Sequence, residues 1–119
     1  MPDTQTTQDV IDQHLRSFYE QDLDGLLADY TSDAVLFIPE GRLRGSAAIK
    51  PFFEGFLSEF AKPGSSFSMR QQMVAGEYAY ISWTAETADN WYESATDTFV
   101  VRDGKIVAQS FFATVIPKR

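Results

Sequence analysis

Residues 97–107 read Asp97-Thr98-Phe99-Val100-Val101-Arg102-Asp103-Gly104-Lys105-Ile106-Val107, two runs rich in β-branched residues joined by Asp103-Gly104. Asp-Gly between alternating apolar runs is a strong hairpin signal, because both residues tolerate the positive φ of a two-residue turn. The pattern predicts a strand over Trp91–Arg102 and a closing strand over Lys105–Ile116. Upstream, Phe67, Met69, Gln71 and Met73 alternate with Ser68, Arg70 and Gln72 as far as a turn at Ala75-Gly76-Glu77. Tyr78–Thr87, carrying Tyr80, Ile81 and Trp83, is the next strand, turned back near Asp89-Asn90. The second half is thus an antiparallel meander. Val107, Phe111 and Val115 share one parity of the last strand, and Ile106, Phe112 and Ile116 the other. With one face on the helices, the other needs a cover, and a homodimer through that outer face supplies it.

The first half is helical. Val10, Ile11, Leu15, Phe18 and Tyr19 form one helical stripe, with Thr6 or Thr7 as cap and residues 1–7 as a flexible tail. Leu23, Leu26, Leu27 and Tyr30 make a second, short helix that Asp22 or Asp24 caps. Thr31-Ser32-Asp33 is a turn before a compact strand, Ala34–Ile38, which Pro39 stops. Glu40–Gly45 is a polar loop. Ser46 caps a third helix with a stripe of Ile49, Phe52, Phe53, Phe56 and Phe60. Pro51 inside it forfeits a bond to the Ala47 carbonyl, so a break near Lys50 is expected. Pro63-Gly64-Ser65-Ser66 is a loop too short to link two domains. Helices first and a meander afterwards describe an α+β domain with helices on one face of a curved antiparallel sheet.

Composition narrows the role. The 119 residues suffice for one domain, and 44% hydrophobic content with ten Phe supplies a real core. A formal charge of −7, with ten scattered basic residues, excludes nucleic acid and anionic membrane surfaces as partners. There is no cysteine, so disulfide and thiolate chemistry are excluded. No targeting segment or membrane span is recognisable, which makes the cytoplasm the default location. No phosphate-binding glycine loop or metal-ligand cluster exists, so no cofactor or metal is expected.

Two polar residues sit where apolar ones are expected. His14 is the only histidine, one turn from both Val10 and Phe18, and therefore points inward. It is either a core-edge histidine bonded to a polar neighbour or a functional group. Asp97 shares its strand face with Trp91, Ala95, Phe99 and Val101. A carboxylate there is paired or has a raised pKa, as a general acid would, unless it is a strand-end or structural hydrogen-bonding group. Glu40 and Glu86 read as solvated charges. Tyr19, Tyr30, Tyr80 and Trp83 are weaker candidates for a pocket wall, because aromatic residues in a domain this size are usually core.

Four segments, Asp22–Leu26, Tyr30–Val35, Leu43–Ile49 and Asp97–Val107, together resemble the SnoaL-like and ketosteroid isomerase branch of the nuclear transport factor 2-like superfamily. The resemblance implies a cone with an apolar pocket at its open end, and a dimer. It implies that Asp97 stands at the hydrogen-bond-donating aspartate of ketosteroid isomerase, His14 at its oxyanion-binding tyrosine, and Tyr30 at a supporting tyrosine. Its general-base aspartate falls on Ile38, and its second supporting tyrosine on Phe53. An isoleucine moves no proton, so steroid isomerisation in that form is not expected, whereas an aspartate near Asp97 is the central acid or base of the SnoaL-like cyclases.

Three roles fit. One is an acid–base enzyme acting on a small apolar molecule, with Asp97 and His14 catalytic and Phe18, Tyr30, Ile38, Phe53, Phe56 and Trp83 forming the substrate wall. The second is a non-catalytic binder of such a molecule. The third is a dimeric protein-interaction module.

Overall fold

A computed structural model describes residues 4–118. The chain forms α1 (Thr4–Tyr19), α2 (Leu23–Leu27), β1 (Tyr30–Ile38), β2 (Gly41–Arg44) and α3 (Ser46–Ala61). The strands β3 (Ser66–Ala75), β4 (Tyr78–Glu86), β5 (Asn90–Arg102) and β6 (Lys105–Pro117) follow. They make one six-stranded sheet in the order β2-β1-β6-β5-β4-β3. The α+β class holds, and one pair departs from the antiparallel expectation: β1 runs parallel to β6. With α3 and β3–β5 between them in sequence, β1 and β6 are joined by a long crossover, which permits parallel pairing.

The inner sheet face and the helices share one core. From α1 it takes Ile11, from α3 Ile49, Phe53 and Leu57, and from the sheet Leu36, Ile81, Phe99 and Val101. These α3 residues recur every four positions, the spacing of a single helical face. Phe52, Phe56 and Phe60 lie beside that face, half-buried.

Several local expectations are corrected. Helix α1 starts at Thr4, so residues 4–7 are helix rather than tail, and residues 1–3 lie outside the described residues. Thr7 is inside the helix and donates its hydroxyl to the Gly76 carbonyl at 2.5 Å instead of capping. Asp22 does cap α2, accepting from the Gly25 N–H at 2.9 Å. Tyr30 belongs to β1, not to α2, because the Asp29 carbonyl accepts from the Ile106 N–H at 2.8 Å and draws the chain into the sheet. The Glu40–Gly45 loop contains β2, which pairs Ile38 with Gly41 around the turn at Pro39-Glu40. Gly45, not Ser46, is the N-cap of α3, with φ 84 and no side-chain cap. Its carbonyl accepts from Ile49 at 3.0 Å and its N–H donates to Ala34 at 2.8 Å. Helix α3 runs through Pro51 without a break. Pro51 is exposed, so its ring meets no core neighbour and the Phe stripe on the opposite side holds the helix together.

Bulges set which side chains enter the cone. A register shift between Tyr92 and Ser94 turns Tyr92 inward and leaves Trp91 outside, so Trp91 is not on the Asp97 face. A second shift pairs Val100 with Ala108 but Val101 with Ile106, so Val107 is the extra residue. Ile106 is therefore fully buried, while Phe112 and Ile116 of the same parity are exposed. Each bulge also bends the sheet around the helices. Among the described residues no helix is long and apolar enough to cross a membrane.

Candidate functional site

Strand β5 supplies the centre of the site. Asp97 sits opposite Ile81 on β4 and Phe111 on β6. Its diagonal inward neighbours are Trp83 on one side and Gln109 on the other, near enough for long side chains to reach it. Trp83 Nε1 donates to Asp97 Oδ2 at 2.9 Å, and Gln109 Nε2 donates to Oδ1 at 2.8 Å. The Tyr30 hydroxyl donates in turn to Gln109 Oε1. Both oxygens of Asp97 are thus held, and the residue is only 6% exposed.

Burial pushes the Asp97 carboxyl above the usual carboxylate range. The Trp83 and Gln109 bonds and the nearby His14 pull in the opposite direction and do not cancel it. Neutral donors stabilise the ion locally but do not replace the hydration it has lost. Tyr30 is driven well above the usual phenol value, chiefly by burial and then by the charges of Asp97 and Asp29.

Asp97 and Gln109 share a cavity of about 50 Å³ with His14, which α1 projects into it. That is space for roughly three or four waters. Most of the remaining wall is aromatic, with Phe18 from α1, Phe52 and Phe56 from α3, and Phe67, Trp83 and Phe111 from the sheet. Leu15, Leu26 and Ile81 are its aliphatic part. The rings interlock: Phe56 lies 4.8 Å from Phe60 and 5.6 Å from Phe18, and Trp83 stacks within 6.2 Å of Phe111. The His14 ring meets Tyr30, Phe53 and Phe99 edge to face, at 5.6, 6.1 and 5.5 Å. Its Nδ1 lies 3.4 Å from Asp29 Oδ2.

Of the residues expected at the site, Asp97, His14, Phe18, Phe53, Phe56 and Trp83 line this one cavity. Tyr30 is one layer behind, in ring contact with His14 and Phe53 and joined to Asp97 through Gln109. Ile38 does not line it: it ends β1, opposite Gly41, and packs half-buried on the core's edge. Glu40 is exposed, and Glu86 pairs with Lys118 at 2.6 Å. Gln109, Asp29, Phe52, Phe67 and Phe111 were not singled out by sequence. Gln109 is hidden by the bulge before it, and the three phenylalanines read as ordinary core. Among the described residues no group of three or more His, Cys, Asp or Glu side chains is gathered to hold a metal ion.

A family model described as a SnoaL-like domain matches residues 11–109. No curated protein sequence matches closely enough to count as a relative. Among solved structures, the chain is similar to SalBIII, an epoxide hydrolase/cyclase-like enzyme of pyran ring formation in the polyether salinomycin. The TM-score is 0.81 at 18% identity, covering 96% of this chain and 95% of that one. A candidate ketosteroid isomerase from Kribbella flavida DSM 17836 superposes with TM-score 0.78 at 17% identity, over 100% and 85% of the two chains. A nuclear transport factor 2-like protein from Burkholderia xenovorans LB400 gives 0.72 at 18%, over 96% and 93%. At such identities these likenesses establish the fold alone.

Proposed function

We propose that this chain, which belongs to the SnoaL-like domain family, takes a small, largely apolar, oxygen-bearing molecule into the aromatic cavity and performs acid–base chemistry on it of the isomerase or cyclase kind. Asp97 is the acid–base group, and His14 acts beside it. The observation that carries this is the state of Asp97, a carboxyl held at both oxygens on the wall of an apolar cavity, with burial raising its pKa. Such a group keeps its proton closer to neutral pH than an ordinary aspartate, and can hand it to a substrate oxygen as charge develops there. Steroid isomerisation by a base on β1 is not part of the proposal, since Ile38 supplies none. Similarity to proteins described as an epoxide hydrolase/cyclase-like enzyme and a ketosteroid isomerase is consistent with chemistry at a substrate oxygen.

The test is a panel of enolisable ketones and epoxides incubated with the protein and followed by mass spectrometry and proton NMR. Turnover that is lost in Asp97→Asn, with binding of a neutral solvatochromic dye retained, supports the assignment. Turnover that survives in Asp97→Asn removes Asp97 from the mechanism.

A non-catalytic binding role is favoured by one observation. Both Asp97 oxygens already have protein donors, and a cavity of about 50 Å³ must displace rings before it admits a larger ligand. Ligands that raise the melting temperature of wild type and Asp97→Asn equally, with no product, would select it.

We also propose that two copies pair through the outer sheet face. Phe37, Met73, Tyr78 and Ile116 are exposed there together with Phe112, which is 62% accessible. Phe112→Asp should turn a dimer into a monomer in analytical ultracentrifugation, and a wild type that is monomeric at micromolar concentration would refute the pairing.

A further inference from the structure

Beside the cavity, two buried polar atoms face each other with no other partner. His14 Nδ1 and Asp29 Oδ2 are 3.4 Å apart. Both are sealed from solvent, and neither makes a hydrogen bond. The separation is slightly longer than a direct N–H···O bond, so a small side-chain adjustment closes it. A bare imidazole lone pair 3.4 Å from a buried carboxylate oxygen is repelled by it, whereas an N–H in the same place is attracted. Electrostatics at this separation favour a proton on Nδ1.

Both partners are fixed from outside the pair. Asp29 sits between α2 and the sheet, its N–H donating to Leu26 at 3.2 Å and its carbonyl accepting from Ile106 at 2.8 Å. The His14 ring is wedged edge to face among Tyr30, Phe53 and Phe99. Nδ1 lies against Asp29 Oδ2 while the ring lines the cavity, which leaves Nε2 as the nitrogen for a bound molecule.

We propose that Asp29 is a positioning residue that holds His14 in its Nδ1–H form, and that Nε2, left unprotonated, is the base that works with Asp97 as the acid. This rests on the acid–base function proposed above and supplies the base that Ile38 cannot. On an enolisable carbonyl compound, the proton of a C–H bond beside the carbonyl passes to Nε2. The electron pair of that bond becomes the C=C of an enol, and the Asp97 proton passes to the carbonyl oxygen. Return of the Nε2 proton to another carbon of the conjugated system, with the hydroxyl proton going back to Asp97, restores both groups. Orientation of an imidazole by a carboxylate at its far nitrogen is how general bases of this kind are commonly held.

The chain has one histidine, so a long-range proton–nitrogen NMR correlation spectrum of labelled protein reports His14 alone. It is recorded at alkaline pH, where the nitrogen shifts distinguish the two neutral tautomers from the imidazolium form. The expected wild-type pattern is a protonated Nδ1 and an unprotonated Nε2. In Asp29→Ala, folded by circular dichroism, the balance should invert toward Nε2–H. A wild-type ring found mainly as Nε2–H overturns the proposal, and so does an Nδ1–H form that persists in folded Asp29→Ala. If that variant does not fold, the wild-type spectrum still decides between the two forms. No substrate is needed, so failure of this test and failure to find turnover are separate results.

Discussion

Asp97→Asn should make the protein more stable wherever pH is high enough to ionise Asp97 in the fold. The wild-type residue places an ionisable carboxyl on the inner sheet face, where Trp83 and Gln109 donate to it at 2.9 and 2.8 Å and burial raises its pKa. Asparagine has the same shape. Its carbonyl keeps the Trp83 bond, and the Gln109 amide turns over so that Oε1 accepts from the new Nδ2. Gln109 Nε2 then faces the Tyr30 hydroxyl, which accepts where it had donated. Two bonds lose their charge assistance, at about 1 kcal/mol each. Against that, the variant avoids burying an ion, an effective penalty of roughly several kcal/mol. The balance favours Asp97→Asn by about 1–2 kcal/mol, a rise in Tm of roughly 4–8 °C for a domain of this size.

The pH dependence has a definite sign. Because the folded-state pKa is raised, the native protein holds this proton more tightly than the unfolded chain does. That contribution to stability is fully present below the ordinary carboxylate range and is lost as pH climbs through the raised folded value. Asp97→Asn has nothing to lose there, so its advantage should open with rising pH and close in acid. Urea unfolding of both proteins between about pH 4 and pH 8, followed by tryptophan fluorescence, measures the gap. Asp97→Ala is the control. It leaves the Trp83 and Gln109 donors unsatisfied, each at about 1–3 kcal/mol, and should be the less stable variant throughout. A gap that ignores pH, or an Asp97→Asn variant whose disadvantage grows as pH rises, would refute the reasoning. A carboxyl that costs the fold stability is held there for something other than the fold.

Other perturbations test neighbouring parts of the structure. Glu59 accepts from Thr87 at 2.6 Å, Asn90 at 2.8 Å and Tyr92 at 2.9 Å, tying α3 to the β4–β5 hairpin. Glu59→Ala should cost about 2–3 kcal/mol in urea unfolding. Pro51 deprives α3 of one backbone bond at an exposed position, so Pro51→Ala should stabilise by about 1–2 kcal/mol after the loss of unfolded-state stiffness is deducted. Phe56→Ala removes a ring from the cavity wall and should cost about 3–4 kcal/mol. Benzene should then raise the Tm of Phe56→Ala more than that of wild type, because an enlarged apolar cavity takes up an apolar guest.

Legibility followed the range of the interactions. The Asp103-Gly104 hairpin was readable because its cause is local, and the two residues do take positive φ, 53 and 77. The helix stripes were readable for the same reason. Strand β2 was not, since Pro39-Glu40 is no standard hairpin pair and four residues, Gly41–Arg44, carry little alternation. Tyr30 lay at perfectly good helical spacing from Leu26 and Leu27. Long-range pairing with β6, including the bond from Ile106 to Asp29, decided otherwise. Pro51 shows the converse, a local signal overruled by a packed aromatic face.

The site divides along the same line. Asp97 was identifiable because Ala95, Asp97, Phe99 and Val101 alternate inward, the shift between Val100 and Val101 placing its extra residue on β6 rather than on β5. One strand over, the extra residue at Val107 shifts the parity, and Gln109 enters the cone although simple alternation from Ile106 sends it out. Asp29 is further from reach. Its relation to His14 joins the end of one short helix to the face of another, and no periodicity links them. The acid could therefore be read from the chain, while its donor and the carboxylate beside the histidine required the sheet to be bent and the helices laid across it. The bulges that bend the sheet decide which side chains face the cavity, so a substitution that removes one would change the site without touching any residue in it.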